Sequence, residues 1–133
     1  MDTEGKRIHV VCGLIRNDQD QVLICKRSQG SLQGYWEFPG GKIENERAEL
    51  ALKRELREEL GLEITGITLF MDSHHNYEEA SILLTAYTCK AKSEITKMTD
   101  HDEVAWVSKK ELLNYELAPA DIPIAKAFSN SIV

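Results

Sequence analysis

Residues 46–60 contain no glycine and no proline and consist almost wholly of good helix formers. Within them Ala48, Leu52, Leu56 and Leu60 recur every four residues, which draws one apolar stripe down a helix. Gly61 follows at the position where a left-handed cap ends such a helix. A helix over 46–60 with one apolar side must lie on a surface that the rest of the chain supplies.

That surface reads as extended chain. Residues 6–16 are rich in β-branched side chains and read as a strand, 17–20 as a turn, and 21–27 as its hairpin partner. Residues 28–35 carry two glycines and read as a loop. Trp36, Glu37 and Phe38 form a short extended piece, ended by Pro39, Gly40 and Gly41. Further strands are expected at 63–75, 80–91 and 103–107. Ser108 and Glu111 have capping-box spacing before a short helix, and Asp121 with Pro123 opens a last one. The expected class is α/β (α+β): a mixed, mostly antiparallel sheet flanked by helices, in a single domain over residues 1–133.

Charge and cysteine usage narrow the function. The net charge of −6 disfavours a nucleic-acid polymer as partner, since a phosphate backbone needs a basic face. It leaves room for a small phosphorylated ligand held through a bound cation. The three cysteines, Cys12, Cys25 and Cys89, form no Cys-x-x-Cys pair and read as buried thiols. No stretch approaches the length of a membrane span, and residues 1–7 lack the apolar core of a secretory signal. A cytoplasmic protein is expected, as monomer or homodimer.

The helix carries a second pattern. Glu55, Glu58 and Glu59 stand at i, i+3 and i+4 and so share a face. Three carboxylates so close repel one another unless a cation sits among them. Mg²⁺, or Mn²⁺, prefers oxygen ligands and would relieve the repulsion. A solvated acidic face balanced by Lys53, Arg54 and Arg57 explains the same residues. His74 and His75 are neighbours on a strand and point to opposite faces, so they cannot chelate one ion together.

The surroundings of the carboxylates resemble a known signature. Gly40, Glu46, Arg54, Glu55, Leu56, Glu58, Glu59, Gly61 and Leu62 match the Nudix box at every specified position. The loop of Gly40, Gly41, Lys42, Ile43, Glu44, Asn45 and Glu46 is one residue shorter than in MutT-type members and lacks their last glycine. Which of Gly40 and Gly41 offers a metal-binding carbonyl therefore stays open. The resemblance implies a Nudix α/β/α sandwich. It implies that Glu55, Glu58 and Glu59 hold the metal or orient the attacking water, and that Arg54 holds Glu55. It also implies a distal acid in a loop before a tryptophan-bearing strand, where Asp100 is the first candidate and Glu103 the second. Either can equally be a solvated loop acid.

The resemblance reaches the nucleotide too. Glu37 and Phe38 look like the MutT-type entry to the box, Arg27 falls where such enzymes contact the nucleotide, and Phe38 and Tyr77 can stack on a base or simply pack. The segment around Asp121 resembles the one that reads the base. An ionised Asp only accepts hydrogen bonds and suits an exocyclic amine such as cytosine N4. A protonated one can serve an oxidised purine, and a plain helix cap would explain it as well. The implied activity is Mg²⁺-dependent hydrolysis of a nucleoside triphosphate to the monophosphate and pyrophosphate, on an 8-oxo-dGTP or CTP/dCTP type of substrate in nucleotide-pool cleaning. Rivals are a Nudix enzyme acting on ADP-ribose or a sugar nucleotide, and a non-catalytic nucleotide sensor.

Overall fold

A computed structural model describes residues 6–78 and 80–132; the polar start read at residues 1–5 lies outside them. The strands are β1 (Lys6–Arg16), β2 (Val22–Arg27), β3 (Trp36–Glu37), β4 (Gly40–Lys42), β5 (Ile64–Tyr77), β6 (Ala80–Ala91) and β7 (His101–Val107). The helices are α1 (Ala48–Leu60), α2 (Lys109–Leu112) and α3 (Ile122–Ser129), the last entered through a 3-10 turn at Pro119–Asp121.

All strands join one sheet in the order β3-β2-β1-β6-β5, with β4 added to β1 and β7 to β2. Every pairing is antiparallel except β1 with β6. Alternation along the central strands feeds two cores, because successive side chains leave a strand on opposite faces. Val11, Ile15, Leu23, Cys25, Tyr87 and Cys89 meet the Ala51, Leu52, Leu56 and Leu60 stripe of α1. Cys12, Leu14, Val22, Ile24, Leu84 and Ala86 meet Leu112, Ile124, Ala125 and Phe128 of α2 and α3. The expected sandwich of helices around a mixed sheet is what forms.

Strand β5 runs to Tyr77 and β7 begins at His101, beyond the expected 75 and 103, and two further differences have a local physical reason. The helix begins at Ala48, not at 46, because Glu46 is drawn out of helical register: its carboxylate accepts from the Glu44 amide at 3.0 Å and from Arg54 at 2.9 and 3.0 Å. The glycines after Pro39 do not simply end an extended piece. Gly40–Lys42 resumes it as β4, paired with Val10 to Cys12. Gly40 lies so close that a β-carbon there would collide with the Val11 carbonyl. At the far end of α1, Gly61 sits at φ 60° as the left-handed cap, with its N–H on Arg57 O.

Candidate active site

Strand β4 leads from the sheet to α1 and runs beside its acidic face. A β-carbon on Gly41 would collide with the Glu55 carboxyl group, so the backbone at Gly41 and that side chain are in direct contact. Arg54 organises the face. Its guanidinium meets Glu46 in a two-point contact and donates through Nη1 to Glu55 at 3.1 Å and to Glu58 at 3.3 Å. It also reaches the Lys42 carbonyl at 3.3 Å, tying β4 to the helix. Arg57 looks away and pairs with Glu63 instead.

Glu59 points inward. Burial, then the neighbouring Glu55 carboxylate, then Asp100 and Glu37 together hold its carboxyl far above the usual range. Asp100 comes near because the segment before it is laced to the end of α1: Thr96 N donates to Leu60 O and Thr99 N to Glu59 O. The donor set consists of hard oxygens crowded enough that one keeps its proton, which is the environment a divalent cation relieves. With Arg54 engaging Glu55 and Glu58, no three acidic groups among the described residues are gathered closely enough to hold an ion as they stand.

A cavity of about 570 Å³ opens beside Glu59. Its wall brings together Arg27, Glu37, Phe38, Gly40, Gly41, Glu59, Tyr77, Asp100 and Asp121. Arg54, Glu55, Glu58 and Glu103 do not line it. Glu103 is exposed on β7, across from Lys26. On the cavity wall Asp121 is buried, and its Oδ2 accepts from the Phe38 amide at 2.9 Å. It stands at the N-cap position of α3 yet makes no cap bond, which corrects the plain helix-cap reading. Burial raises its carboxyl to about 8; the Phe38 bond and Arg27 oppose this, and Glu37 adds to it. The ring of Phe38 packs in the core on the α3 side of the sheet, and Tyr77 tilts against His75 while its hydroxyl accepts from the Ala120 amide. His74 is exposed and His75 half-buried, on opposite faces as expected.

Two wall residues escape sequence reasoning. Cys12 is fully buried, and its thiol is pushed up by burial and by Asp121. His101 is buried with Nε2 2.9 Å from Glu37 Oε2, and Glu37 Oε1 accepts from Arg27 at 3.0 Å. For His101 the only available signal was its place after Asp100 in an acidic run.

An acidic helix fastened by one arginine to a glycine strand, beside a nucleotide-sized cavity, defines a class of phosphate-handling hydrolase. Comparison with known proteins agrees. Residues 6–128 match the NUDIX domain, and the chain belongs to the Nudix family and is a Nudix hydrolase. The chain is 39% identical over 125 residues to the CTP pyrophosphohydrolase of Escherichia coli K12, covering 92% of each chain. It is 39% identical over 97 residues to the 8-oxo-dGTP diphosphatase of Proteus vulgaris, covering 71% of this chain and 87% of that one. The crystal structure of MutT protein from Methanosarcina mazei Go1 shares the fold with a TM-score of 0.86 at 24% identity, covering 96% of both chains. Nudix hydrolases generally use a divalent metal ion. No helix among the described residues is long and apolar enough to cross a membrane.

Proposed function

We propose that residues 1–133 form one Nudix domain that hydrolyses a cytidine-type nucleoside triphosphate to the monophosphate and pyrophosphate with Mg²⁺, with Mn²⁺ as substitute. The observation that carries this is one cavity whose wall holds both Glu59 of the acidic helix α1 and buried Asp121. Such a cavity suits a ligand with phosphates at one end and a base at the other. Glu55, Glu58 and Glu59 would hold the cation, with Asp100 as distal acid and Gly41 the better placed of the two glycines for a carbonyl ligand. The cation would neutralise phosphate charge and lower the cost of forming the nucleophile. Arg54 orients Glu55 and Glu58 through its Nη1. Arg27 and Glu37 contact the nucleotide, and Phe38 and Tyr77 shape the wall around the base.

Asp121 would read the base. One oxygen is taken by the Phe38 amide, which leaves the other to face a base edge. That oxygen can accept from an exocyclic amine, and such a contact favours the ionised form. A second reading, an oxidised purine triphosphate of the 8-oxo-dGTP type, is favoured by the raised Asp121 carboxyl, which can also donate. The small nucleotide is the partner we expect, in the cytoplasm and with no nucleic-acid polymer, the protein acting as monomer or homodimer.

The test is pyrophosphate release with Mg²⁺ from CTP, dCTP, 5-methyl-dCTP, 8-oxo-dGTP, dGTP and ADP-ribose. Fast release from a cytidine triphosphate, reduced about 10²-fold or more in Glu58→Gln, supports the reading. No turnover on any of them by folded, Mg²⁺-binding protein would sink it.

A further inference from the structure

His101 sits at the join of three strands. Glu37 on β3 lies across from Cys25 of β2, and His101 on β7 lies across from Arg27 of β2. Cys25 and Arg27 are two residues apart, and although the β2–β7 register shifts between Lys26 and Arg27, the side chains of Glu37, Arg27 and His101 meet on one face. There the three polar side chains form a chain of contacts. Arg27 Nη1 donates to Glu37 Oε1 at 3.0 Å, and His101 Nε2 lies 2.9 Å from Glu37 Oε2. Both oxygens of Glu37 are thus held by protein.

The three members differ in exposure, and the order is informative. The His101 side chain is 3% exposed, Glu37 20% and Arg27 38%. The innermost residue lines the cavity with little of its surface exposed, and the outermost faces it most openly. Beside the Glu37 carboxylate, Nε2 of His101 carries the proton and donates it. Its other nitrogen, Nδ1, is buried and has no hydrogen-bond partner among the described residues. A buried histidine with one unmatched nitrogen is a poor core residue, since an apolar side chain would leave nothing unmatched. Its retained contact is the one to Glu37. The backbone around the group is also fixed: Arg27 exchanges bonds with Tyr35 and Gly34, and Ser28 Oγ donates to the Asp100 carbonyl at 2.9 Å.

We propose that His101 is a positioning residue for nucleotide binding. By holding one oxygen of Glu37 it fixes the carboxylate whose other oxygen holds the Arg27 guanidinium against the cavity. This rests on the reading of the cavity as a nucleotide site. The side chain of His101 contacts Glu37 and none of the carboxylates of α1 among the described residues. Its loss therefore weakens binding and leaves the chemical step largely alone.

The experiment compares His101→Ala, His101→Asn and His101→Gln in the full chain. A Gln amide can reach the position of Nε2, whereas an Asn amide falls short. Affinity for CMP and for 8-oxo-dGMP is followed by chemical-shift titration, which needs no turnover, and KM and kcat are measured on the triphosphate the wild type hydrolyses. Expected is a loss of affinity and a rise in KM of about tenfold in His101→Ala and His101→Asn, the factor that one hydrogen bond to a charged group supports. The kcat should stay within about threefold, and His101→Gln should recover most of the affinity. In Arg27→Ala, adding His101→Ala should cost little more, because the two act through one contact chain. Should His101→Ala not fold, the Asn and Gln variants carry the comparison. Unchanged affinity in the variants, a fall in kcat with KM unchanged, or additive losses with Arg27→Ala would overturn the proposal while the wild type still binds nucleotide. A wild type that binds neither monophosphate and releases no pyrophosphate would overturn the nucleotide reading, and this proposal with it.

Discussion

Asp121→Asn turns the buried carboxyl into a measurable slope. The variant keeps an oxygen for the Phe38 amide and removes only the ionisation. In the fold the Asp121 carboxyl titrates at about 8, against 3.8 unfolded. Between those values the native chain holds a proton that the unfolded chain has released, so stability falls as pH rises. The penalty is absent below the unfolded value and complete once pH passes the folded one. Its slope is about 1.4 kcal/mol per pH unit, so wild type should lose about 2.7 kcal/mol between pH 5 and 7 that Asp121→Asn does not lose. Every other group titrates in both proteins and cancels in the difference. Urea unfolding at pH 5, 6 and 7, with a chelator present so that no metal binding contributes, measures it directly. A difference that stays constant over that range would refute the reasoning and mean that Asp121 is ionised in the fold at neutral pH. The outcome also bears on substrate, because a carboxylate can only accept from a base and a carboxylic acid can do both.

Other substitutions probe the rest of the site. Gly41→Ala should displace Glu55 and lower turnover at least about tenfold with little change in nucleotide affinity, read from kcat and from CMP titration. Gly61→Ala meets both a left-handed backbone and Thr96 Oγ1, and should cost about 2 kcal/mol in chemical denaturation while leaving KM unchanged. Adding Mg²⁺ should raise the melting temperature of wild type but far less that of Glu59→Gln, as ligand linkage requires; equal shifts would place the ion elsewhere.

Much of α1 was legible in advance because a helix is written locally. Its apolar stripe, its acidic face and the cap at Gly61 follow from spacing within a few turns, and the box residues sit at matching intervals. Arg54 already pointed to Glu55, its neighbour in sequence. Glu46 did not read so plainly. Its pull toward Arg54 shortens the helix to Ala48, and that is a contest between side-chain and backbone bonding that periodicity does not register. Strand β4 was missed for a similar reason: two glycines look like a turn until β1 is there to pair with them.

The reaction class was written in the chain itself, since the box carboxylates, the arginine that contacts two of them and the glycines beside them lie within residues 40–62. The two-faced sheet was written there too, through alternation in β1, β2 and β6. The surroundings of each distant residue came from the folded arrangement alone. Asp121 is not a helix cap but a partner of Phe38, 83 residues away. Asp100 faces the cavity and Glu103 does not. His101 joins Glu37 across 64 residues. The physical reason is that hydrogen-bonding partners and burial at a strand end depend on which strands lie alongside, and no local spacing encodes that register.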